Sequence, residues 1–410
     1  MTDNSTEQLD NEKEEVRPEE VPAEEELTDA AADEILSEEP PTELNTVEQP
    51  KKKKYGWVGY VLLLAVIALG VFLMFKVVYA MGDDVKSFDQ VILASDWRFA
   101  VITVAVLLAI FGCMWFQYVV ILKTTTGKCH FRAGLKVAFV GKFYDNVTPF
   151  ATGGQPMQIY YLNKKGLNGG TSSAVIMIKY FAWMFCWLLL SLILMASFTG
   201  VLETQTQSIK LLLLIGGWIG LVVNMCIPVL VILFVVLPKF SRSLVKAVVG
   251  IGTKLKIIKH PRRALYKVAK IVHDFRTSFK IMSRHPLNFI LLILLCFVEI
   301  FLTFAFPYFV MKMFSGLTDA DGIGVMFTVM ALNIYATMSS SVVPTPGNSG
   351  VIEGVFTAAF TALAGSVLLW TVFVWRFGVY YVYIVIGIFM TVYDFIKKIV
   401  INKKKKPEKL

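Results

Sequence analysis

Two short segments of the sequence interrupt apolar stretches with proline and glycine and keep polar side chains beside the break. The first reads Thr148-Pro-Phe-Ala-Thr-Gly-Gly-Gln-Pro156, and the second reads Pro344-Thr-Pro-Gly-Asn-Ser-Gly350. Proline and neighbouring glycines end a helix, so each break leaves backbone N–H groups without an intrahelical partner. Such N–H groups, at the positive ends of half-helices, suit a phosphate or another anionic group. The alternative is that the polar residues only cap the broken backbone; we favour a binding site.

The predicted binding site combines polar side chains with glycines whose backbone a ligand can approach. Its members come from the two segments and from the apolar stretches beside them. The predicted substrate-binding residues are Asp145, Asn146, Thr148, Thr152, Gly153, Gly154, Gln155, Pro346, Gly347, Asn348, Ser349, Gly350, Glu353 and Arg376. No catalytic residue is predicted.

Two charged residues near the second segment are predicted to contact one another. Glu353 follows the break, and Arg376 lies within the last apolar stretch. An unpaired charge at the centre of a bilayer costs about 2.5–3.5 kcal/mol on insertion scales, so pairing is the simplest relief. The pair is either a structural staple alone or a site at which Arg376 faces a lipid phosphate. Glu299, in the middle of another apolar stretch, has a candidate counter-charge in Lys179.

The elements that must position these residues are membrane-spanning helices. Of the 410 residues, 56% are hydrophobic and 17% are charged, which leaves too little polar surface for a water-soluble fold. Several nearly uncharged runs are long enough to cross roughly 30 Å of hydrocarbon as helices. These predicted spans are Trp57–Met81, Phe99–Leu122, Ser172–Phe198, Ile209–Leu237, Leu287–Met311 and Val367–Tyr393. The predicted fold is an all-α polytopic membrane helix bundle with about six full spans.

Lysine and arginine clusters between the apolar runs predict the topology. Lys51–Lys54 precede the first span and place the N-terminus in the cytoplasm. The segment Val137–Leu162 lies between two further basic clusters, at 123–136 and 164–165. If both clusters are cytoplasmic, this segment enters and leaves the membrane by the same face. It is therefore predicted to form a re-entrant hairpin.

A second re-entrant hairpin, Gly322–Gly365, is predicted to enter from the opposite face. The chain must finish inside, because lysines at 397–398 and 403–406 close it. The returning arm, Val351–Gly365, would be about 22 Å long as a helix, which is short of a full span. Two oppositely oriented hairpins with their flanking spans suggest an inverted repeat. That architecture is typical of transporters, in which the substrate site lies where the broken helices meet.

Charge also divides the chain into regions. Residues 1–50 are acidic and nearly free of aromatic residues, and they are predicted to form a disordered tail. The transmembrane domain is predicted over 51–402, with a basic loop at 238–286 and a basic cytoplasmic tail at 403–410. The loop is predicted to hold an amphipathic helix that lies on the inner leaflet or docks under the bundle. This basic excess favours anionic membrane lipids, and not nucleic acid, as partners; the oligomeric state is not predicted.

Other kinds of chemistry find no support in the sequence. The five cysteines lie singly in or beside apolar segments, and the four histidines lie in or beside basic loops, without metal-ligand spacing. No metal and no cofactor is predicted. No nucleophile elbow, P-loop or dinucleotide fingerprint occurs, which disfavours an enzyme of an ordinary soluble type. The acidic N-terminus and the long first apolar run predict an uncleaved anchor.

The second segment and the last helix resemble a known family. The run Pro344-Thr-Pro-Gly-Asn-Ser-Gly-Val-Ile-Glu-Gly354, followed by Arg376, is similar to the motifs of the lysylphosphatidylglycerol synthase transmembrane (flippase-like) family. That family shows Pro-x-Pro-Gly-Gly-x-Gly-x-x-Glu and then an arginine in its final helix. The stretch Asn146–Leu162 looks like its first Pro/Gly-Gly motif. The chain departs from the pattern at Asn348 and Ser349, where a second glycine and an aliphatic residue are more usual.

The resemblance covers roughly residues 55–400 and implies a membrane domain that moves an anionic or aminoacylated lipid between leaflets. The N-terminal part of multiple peptide resistance proteins, which are linked to antibiotic resistance, is thought to do this for lysylphosphatidylglycerol. The resemblance does not imply lysyl transfer, which in full-length members belongs to a soluble C-terminal domain; this chain is expected to end after its last span.

The leading prediction is an integral lipid translocase of the cell membrane, with both termini cytoplasmic. Its cargo would be a phospholipid such as lysylphosphatidylglycerol, or a polyprenyl-phosphate-type lipid. One alternative is an accessory subunit that presents a lipid to a partner synthase or glycosyltransferase. A weaker alternative is a phosphatidylglycerol lysyltransferase-type activity by family association.

Overall fold

A computed structural model describes residues 88–148, 151–237, 280–314, 322–343 and 345–404, together with positions 243, 246–247, 249–251 and 317. For residues 394–404, and for some residues of 227–236, it describes the backbone alone. Four predicted features lie wholly or mostly outside the described residues. They are the acidic tail 1–50, the first span Trp57–Met81, the basic loop 238–286 and the tail 403–410.

The described chain is helical, and no strand occurs in these ranges. In chain order the helices are α1 (Phe88–Leu93), α2 (Trp97–Thr126), α3 (Phe131–Val147), α4 (Gly154–Lys164), α5 (Gly169–Ser197), α6 (Gln207–Val236), α7 (Pro286–Met313), α8 (Ile323–Ser340), α9 (Val351–Ala364), α10 (Leu368–Arg376) and α11 (Val382–Lys404). A π-helical turn, Phe377–Tyr381, joins α10 to α11.

Six stretches of the described residues are long and apolar enough to cross a membrane. They are Trp97–Thr126, Gly169–Ser197, Gln207–Cys226, Pro286–Met313, Ile323–Ser340 and Val351–Tyr393. The predicted all-α polytopic bundle is therefore confirmed. Four predicted spans correspond to α2, α5, α6 and α7. Helix α8 was predicted as one arm of the second hairpin, yet its 18 residues extend about 27 Å, close to a full crossing.

The first broken segment folds as a helical hairpin. Three pairs of positions show that α3 and α4 run antiparallel. Asp145 lies beside Gly154, Gly141 lies against Gln158, and the Lys136 ammonium sits 5.2 Å from the centre of the Tyr161 ring. Gln158 also ties the hairpin to α2, because its Nε2 donates to the Tyr118 hydroxyl at 2.7 Å. The face of the membrane by which the hairpin enters stays a prediction.

The second broken segment folds back in a similar way. Helix α8 packs against α9, and the turn between them contains the 3₁₀ turn Pro346–Asn348. Helix α9 has 14 residues, about 21 Å. It is followed by Gly365, whose φ of 50° and ψ of −131° only glycine adopts readily. The opposite orientation of the two hairpins, and the inverted repeat, stay predictions.

Helices α2 and α7 form an antiparallel pair with extensive contacts. The N–H of Asp96 donates to the Met313 carbonyl at 2.9 Å at one end, and Asn288 Nδ2 donates to Thr124 Oγ1 at 2.9 Å at the other. Hydrogen bonds between membrane helices fix their register, because few competing partners exist in lipid. This pair sets the positions of the polar residues that both helices carry at mid-length.

Helix α6 approaches α8 through glycines. A Cβ on Gly216 would meet the Ser339 side chain, and a Cβ on Gly220 would overlap the backbone carbonyl of Met338. Small residues four apart let two membrane helices come close enough for tight van der Waals contact. Helix α6 therefore packs tightly against α8, the helix that precedes the second broken segment.

Replacing Gly220 by valine is expected to lower stability by about 1–3 kcal/mol, because the backbone of Met338 cannot yield without separating the two helices. The thermal unfolding midpoint of the purified protein in detergent measures the effect. Gly112→Val is the matched control, since a Cβ at Gly112 of α2 meets open space. Equal midpoints for the two variants would contradict the tight α6–α8 contact.

Candidate functional site

The predicted Glu353–Arg376 contact is confirmed, and it is buried. Arg376 Nε donates to Glu353 Oε1 at 2.7 Å, and the two residues are only 3% and 1% exposed. The second carboxylate oxygen, Oε2, accepts the N–H of Gly350 at 2.7 Å. Glu353 therefore balances the guanidinium and also caps the positive N-terminus of α9.

Arg376 holds the broken loop with its remaining donors. Its Nη2 donates to the Gly347 carbonyl and to Ser349 Oγ, each at 3.2 Å. The guanidinium carbon lies 4.4 Å from the centre of the Tyr380 ring, which is cation–π contact distance. One guanidinium thus joins the loop, α9 and the π-helical turn. Its planar fork of donors is also the group that best matches a phosphate or a carboxylate.

The loop reaches Arg376 because several of its residues adopt left-handed backbone angles. Gly347 has φ 56° and ψ 25°, Asn348 has φ 56°, and Gly350 has φ 88°. Glycine tolerates this region and asparagine visits it more readily than most residues. A Cβ at Gly347 would also overlap the Tyr380 ring. The sequence Gly-Asn-Ser-Gly therefore suits a tight turn packed against an aromatic ring.

The side chains of the first segment cap the N-terminus of α4. Asp145 Oδ1 accepts the N–H of Gly154 at 2.9 Å, and Thr148 Oγ1 accepts the N–H of Gly153 at 2.9 Å. Thr148 also donates to the Tyr144 carbonyl at 2.7 Å. The Asp145 carboxylate occupies the space that a Cβ on Gly154 would need. In this structure Asp145 and Thr148 therefore cap the broken backbone, as the alternative interpretation of the sequence proposed. Their contact with a substrate stays a prediction.

Replacing Asp145 by alanine is expected to destabilise the hairpin by about 1–2 kcal/mol, because the Gly154 N–H loses its acceptor inside the protein. Asp145→Asn keeps an acceptor oxygen at the same place and should cost clearly less. Thermal unfolding midpoints of the two variants test this difference. An asparagine variant as unstable as the alanine variant would show that charge, and not the capping hydrogen bond, matters at this position.

The two broken segments meet at Tyr380. Asn146 Nδ2 donates to the Tyr380 carbonyl at 3.1 Å, and the Tyr380 hydroxyl donates to the Asn146 carbonyl at 3.1 Å. The same ring packs on Gly347 and on Arg376. Helix α3 also contacts the turn Pro346–Asn348 directly. Residues that the sequence placed in separate hairpins therefore share one polar centre.

The predicted site residues fall into three groups. The structure brings together around Arg376 and Tyr380 the residues Asn146, Gly347, Ser349, Gly350 and Glu353. The capping group is Asp145, Thr148, Gly153 and Gly154. Of the others, Thr152 is exposed, Gln155 is partly buried in α4, and Pro346 and Asn348 shape the second turn. These assignments describe geometry; a substrate role for any of them stays a prediction.

Sequence reasoning missed Tyr380 as the link between the segments. A signal was present, because Tyr380 follows Arg376 by four positions, one helical turn, and residues at that spacing share a helix face. The π-helical turn Phe377–Tyr381 comes directly after the arginine. Such turns are frequent at functional sites because they change the direction of side chains within a helix.

A second polar cluster lies around Glu299. This residue is 2% exposed, and its Oε2 accepts Gln117 Nε2 at 2.6 Å. Lys179, the predicted counter-charge, interacts with it electrostatically but forms no ion pair in the described part of the chain. Its ammonium instead lies 5.6 Å and 5.4 Å from the ring centres of Tyr118 and Trp183. Gln117 is therefore the direct partner, and Lys179 acts at longer range.

Long apolar helices around buried charged groups define this chain as a polytopic membrane protein with an internal polar centre. In the residues that the structure covers, no group of three His, Cys, Asp or Glu could hold a metal ion. A comparison with protein families matches residues 60–387 to the family described as the Lysylphosphatidylglycerol synthase TM region. The chain belongs to this family, which suggests a lipid-related function in the membrane. Searches of curated proteins and of solved structures found no match.

Proposed function

We propose that this protein is a lipid translocase that moves an anionic or aminoacylated phospholipid, such as lysylphosphatidylglycerol, or a polyprenyl-phosphate-type lipid, between leaflets. The observation that carries the proposal is the meeting of two broken hairpins at Tyr380, whose ring packs on the buried Arg376. Broken helices at membrane depth are tolerated where they line a polar path, and transporters place their substrate site there. We further propose that it is a cell-membrane protein with both termini cytoplasmic.

Arg376 is the residue we expect to contact a lipid headgroup. In the structure its guanidinium is held by Glu353, the Gly347 carbonyl and Ser349. A phosphate oxygen can replace the loop contacts without leaving the arginine unpaired in the apolar interior. The contacts on Nη2 are the longer ones, at 3.2 Å against 2.7 Å on Nε, so they would exchange first.

The turn Pro346–Asn348 is the element that would move. Gly347 within this turn, and Gly350 two residues after it, already adopt positive φ angles. Its movement would break the contact with Tyr380 and separate the two hairpins along the line where they meet, which we call the seam. Headgroup passage along this seam leaves the acyl or prenyl tails in lipid. The remaining predicted site residues, including Thr152 and Gln155, would line the path.

Leaflet exchange in liposomes tests the proposal. Purified wild-type protein is expected to speed the exchange of a fluorescent anionic phospholipid well above protein-free liposomes. Glu353→Gln and Arg376→Ala should each reduce the rate at least tenfold. Glu203→Gln is the matched control, because Glu203 forms an exposed ion pair with Lys210 at 2.7 Å. Wild-type protein that moves no tested lipid faster than empty liposomes would refute translocation, and folded Arg376 variants with normal rates would assign the pair a purely structural role.

The basic loop at 238–286 favours a second candidate, an accessory subunit that presents a lipid to a synthase or glycosyltransferase. Clusters of lysine and arginine beside membrane spans bind anionic lipids and acidic partners. This role predicts that a lipid-modifying enzyme co-purifies with the wild type and is lost when the loop lysines are neutralised. A lysyltransferase-type activity would instead leave a chemically changed lipid, which mass spectrometry of the liposomes would detect.

A further inference from the structure

Glu299, in the middle of α7, is a buried carboxyl group whose direct partner is neutral. It is 2% exposed, and its Oε2 lies 2.6 Å from Nε2 of the Gln117 amide. No ion pair joins it to a cation within the residues that the structure describes. A carboxylate buried without an ion pair is costly, and binding a proton removes that cost. Glu299 is therefore a candidate for a group that changes its charge inside the membrane.

The contact between Glu299 and Gln117 suits either protonation state of the carboxyl group. A carboxylate accepts the amide N–H, whereas a carboxylic acid donates its O–H to the amide oxygen once the amide rotates by half a turn. The separation of 2.6 Å is shorter than the usual N–H···O range of about 2.7–3.2 Å and lies within the O–H···O range of about 2.5–3.0 Å. Gln117 is fully buried, and its Oε1 has no hydrogen-bond partner among the described atoms. A proton on Glu299 would give this oxygen a donor.

Two lysines and a second carboxylate surround Glu299. Lys142 and Lys179 both interact electrostatically with it. Asp145 interacts with the same two lysines while it caps α4. The other titratable groups that interact electrostatically with Glu299 are the phenols of Tyr118 and Tyr383 and the thiols of Cys113, Cys186 and Cys296. Because of Asp145, protonation of Glu299 does not leave the lysines without an anion.

A cavity of about 60 Å³ gives water a place beside Glu299. Glu299, Lys142 and Thr303 are among the polar residues that line it. At about 15 Å³ for each water molecule, the cavity holds about four waters. These waters can pass a proton to the carboxylate and take it back, so no other bond in the protein needs to form or break.

The same cavity touches the π-helical turn that carries Tyr380. Gly378 of this turn lines the cavity, and the Tyr380 ring packs on Arg376. Phe306, two helical turns after Glu299 on α7, lies so close to Gly378 that a Cβ there would overlap its ring. Such π-helical turns are frequent at functional sites. A change at Glu299 therefore has a direct structural route to the polar centre at Arg376.

We propose that the Glu299 carboxylate binds a proton, and that it does so when an anionic headgroup binds at Arg376. The proton offsets the negative charge that the headgroup brings into the apolar interior, so one proton moves with one anionic lipid. A proton gradient across the membrane then drives the lipid in one direction. The proton site stands without the transport proposed above, whereas its coupling to the lipid rests on that proposed function.

Infrared difference spectroscopy of the full chain in phosphatidylglycerol nanodiscs tests the proton site. Acidification should add a protonated-carboxyl band to the wild-type spectrum that is lost in Glu299→Gln. Gln117→Leu should shift this band, because the acid loses its amide partner, so it tests the site even if Glu299→Gln fails to fold. Its control is Gln205→Leu, at a glutamine that donates to the Ala359 carbonyl away from this cavity. Spectra of both cavity variants that match the wild type would overturn the proposal.

Leaflet exchange of fluorescent phosphatidylglycerol in proteoliposomes tests the coupling. With the labelled leaflet one pH unit more acidic than the other, protein-dependent exchange by the wild type should be at least threefold faster than at equal pH. The ratio of these two rates should fall to one in Glu299→Gln and should stay at the wild-type value in Glu203→Gln, which changes an exposed carboxylate. A wild-type ratio of one would overturn the coupling. Wild-type protein that moves no lipid would refute the proposed function and the coupling together, and the infrared result would still decide the proton site.

Discussion

Replacing Arg376 by methionine is expected to destabilise the protein by about 3–5 kcal/mol, because it leaves the Glu353 carboxylate buried without its counter-charge. Glu353→Gln should have an effect of similar size, since the guanidinium then lies unpaired among apolar helices. The glutamine can still accept the Gly350 N–H, so the loss reports on the ion pair and not on the cap. Thermal and denaturant unfolding in detergent measure both changes.

The double variant Glu353→Gln/Arg376→Met is expected to recover much of the lost stability, because neither charge remains buried. Additive losses, within about 0.5 kcal/mol, would show that the two charges do not act as a pair. The exposed Lys210–Glu203 pair is the control, and its removal should cost less than about 1 kcal/mol.

Leaflet exchange by the double variant then separates the two roles of the pair. A variant that is stable again but inactive would make Arg376 a functional residue. One that is both stable and active would leave the pair as a staple. Loss of activity in a single variant does not make this distinction, because a destabilised protein loses activity for either reason.

Gly347→Ala is expected to reduce leaflet exchange strongly and to destabilise the second turn beyond the ordinary cost of a left-handed alanine. That ordinary cost is about 1–2 kcal/mol. At Gly347 the new Cβ would also overlap the Tyr380 ring, which packs on Arg376 and bonds to Asn146. Displacing this ring would disturb both broken segments at once.

Gly127→Ala is the control for the backbone alone. Gly127 has φ 72° and ψ −4° at the end of α2, and a Cβ there meets open space. The two variants should therefore share the left-handed cost and differ by the contact with Tyr380. Thermal unfolding midpoints and leaflet-exchange rates of both variants measure this difference. Equal values for the two variants would mean that the Tyr380 ring can move aside without affecting stability or exchange.

Short-range patterns in the sequence were enough to predict the class of fold, the positions of the helix breaks and the pairing of Glu353 with Arg376. Hydropathy and charge are properties of short stretches, so apolar runs and proline–glycine breaks can be recognised without knowing how helices pack. The ion pair could be predicted because a lone charge within a span must find a partner, and these two residues are only 23 positions apart.

The tertiary structure alone decided which helix faces meet. Asn146 and Tyr380 are 234 positions apart, and Gln117 and Glu299 are 182 apart, so no local pattern connects them. The use of Asp145 and Thr148 as caps also depends on how the backbone turns after α3. These contacts follow from the packing of many side chains at once. For this reason the polar centre at Tyr380 and the contact between Gln117 and Glu299 could be found only in the folded chain.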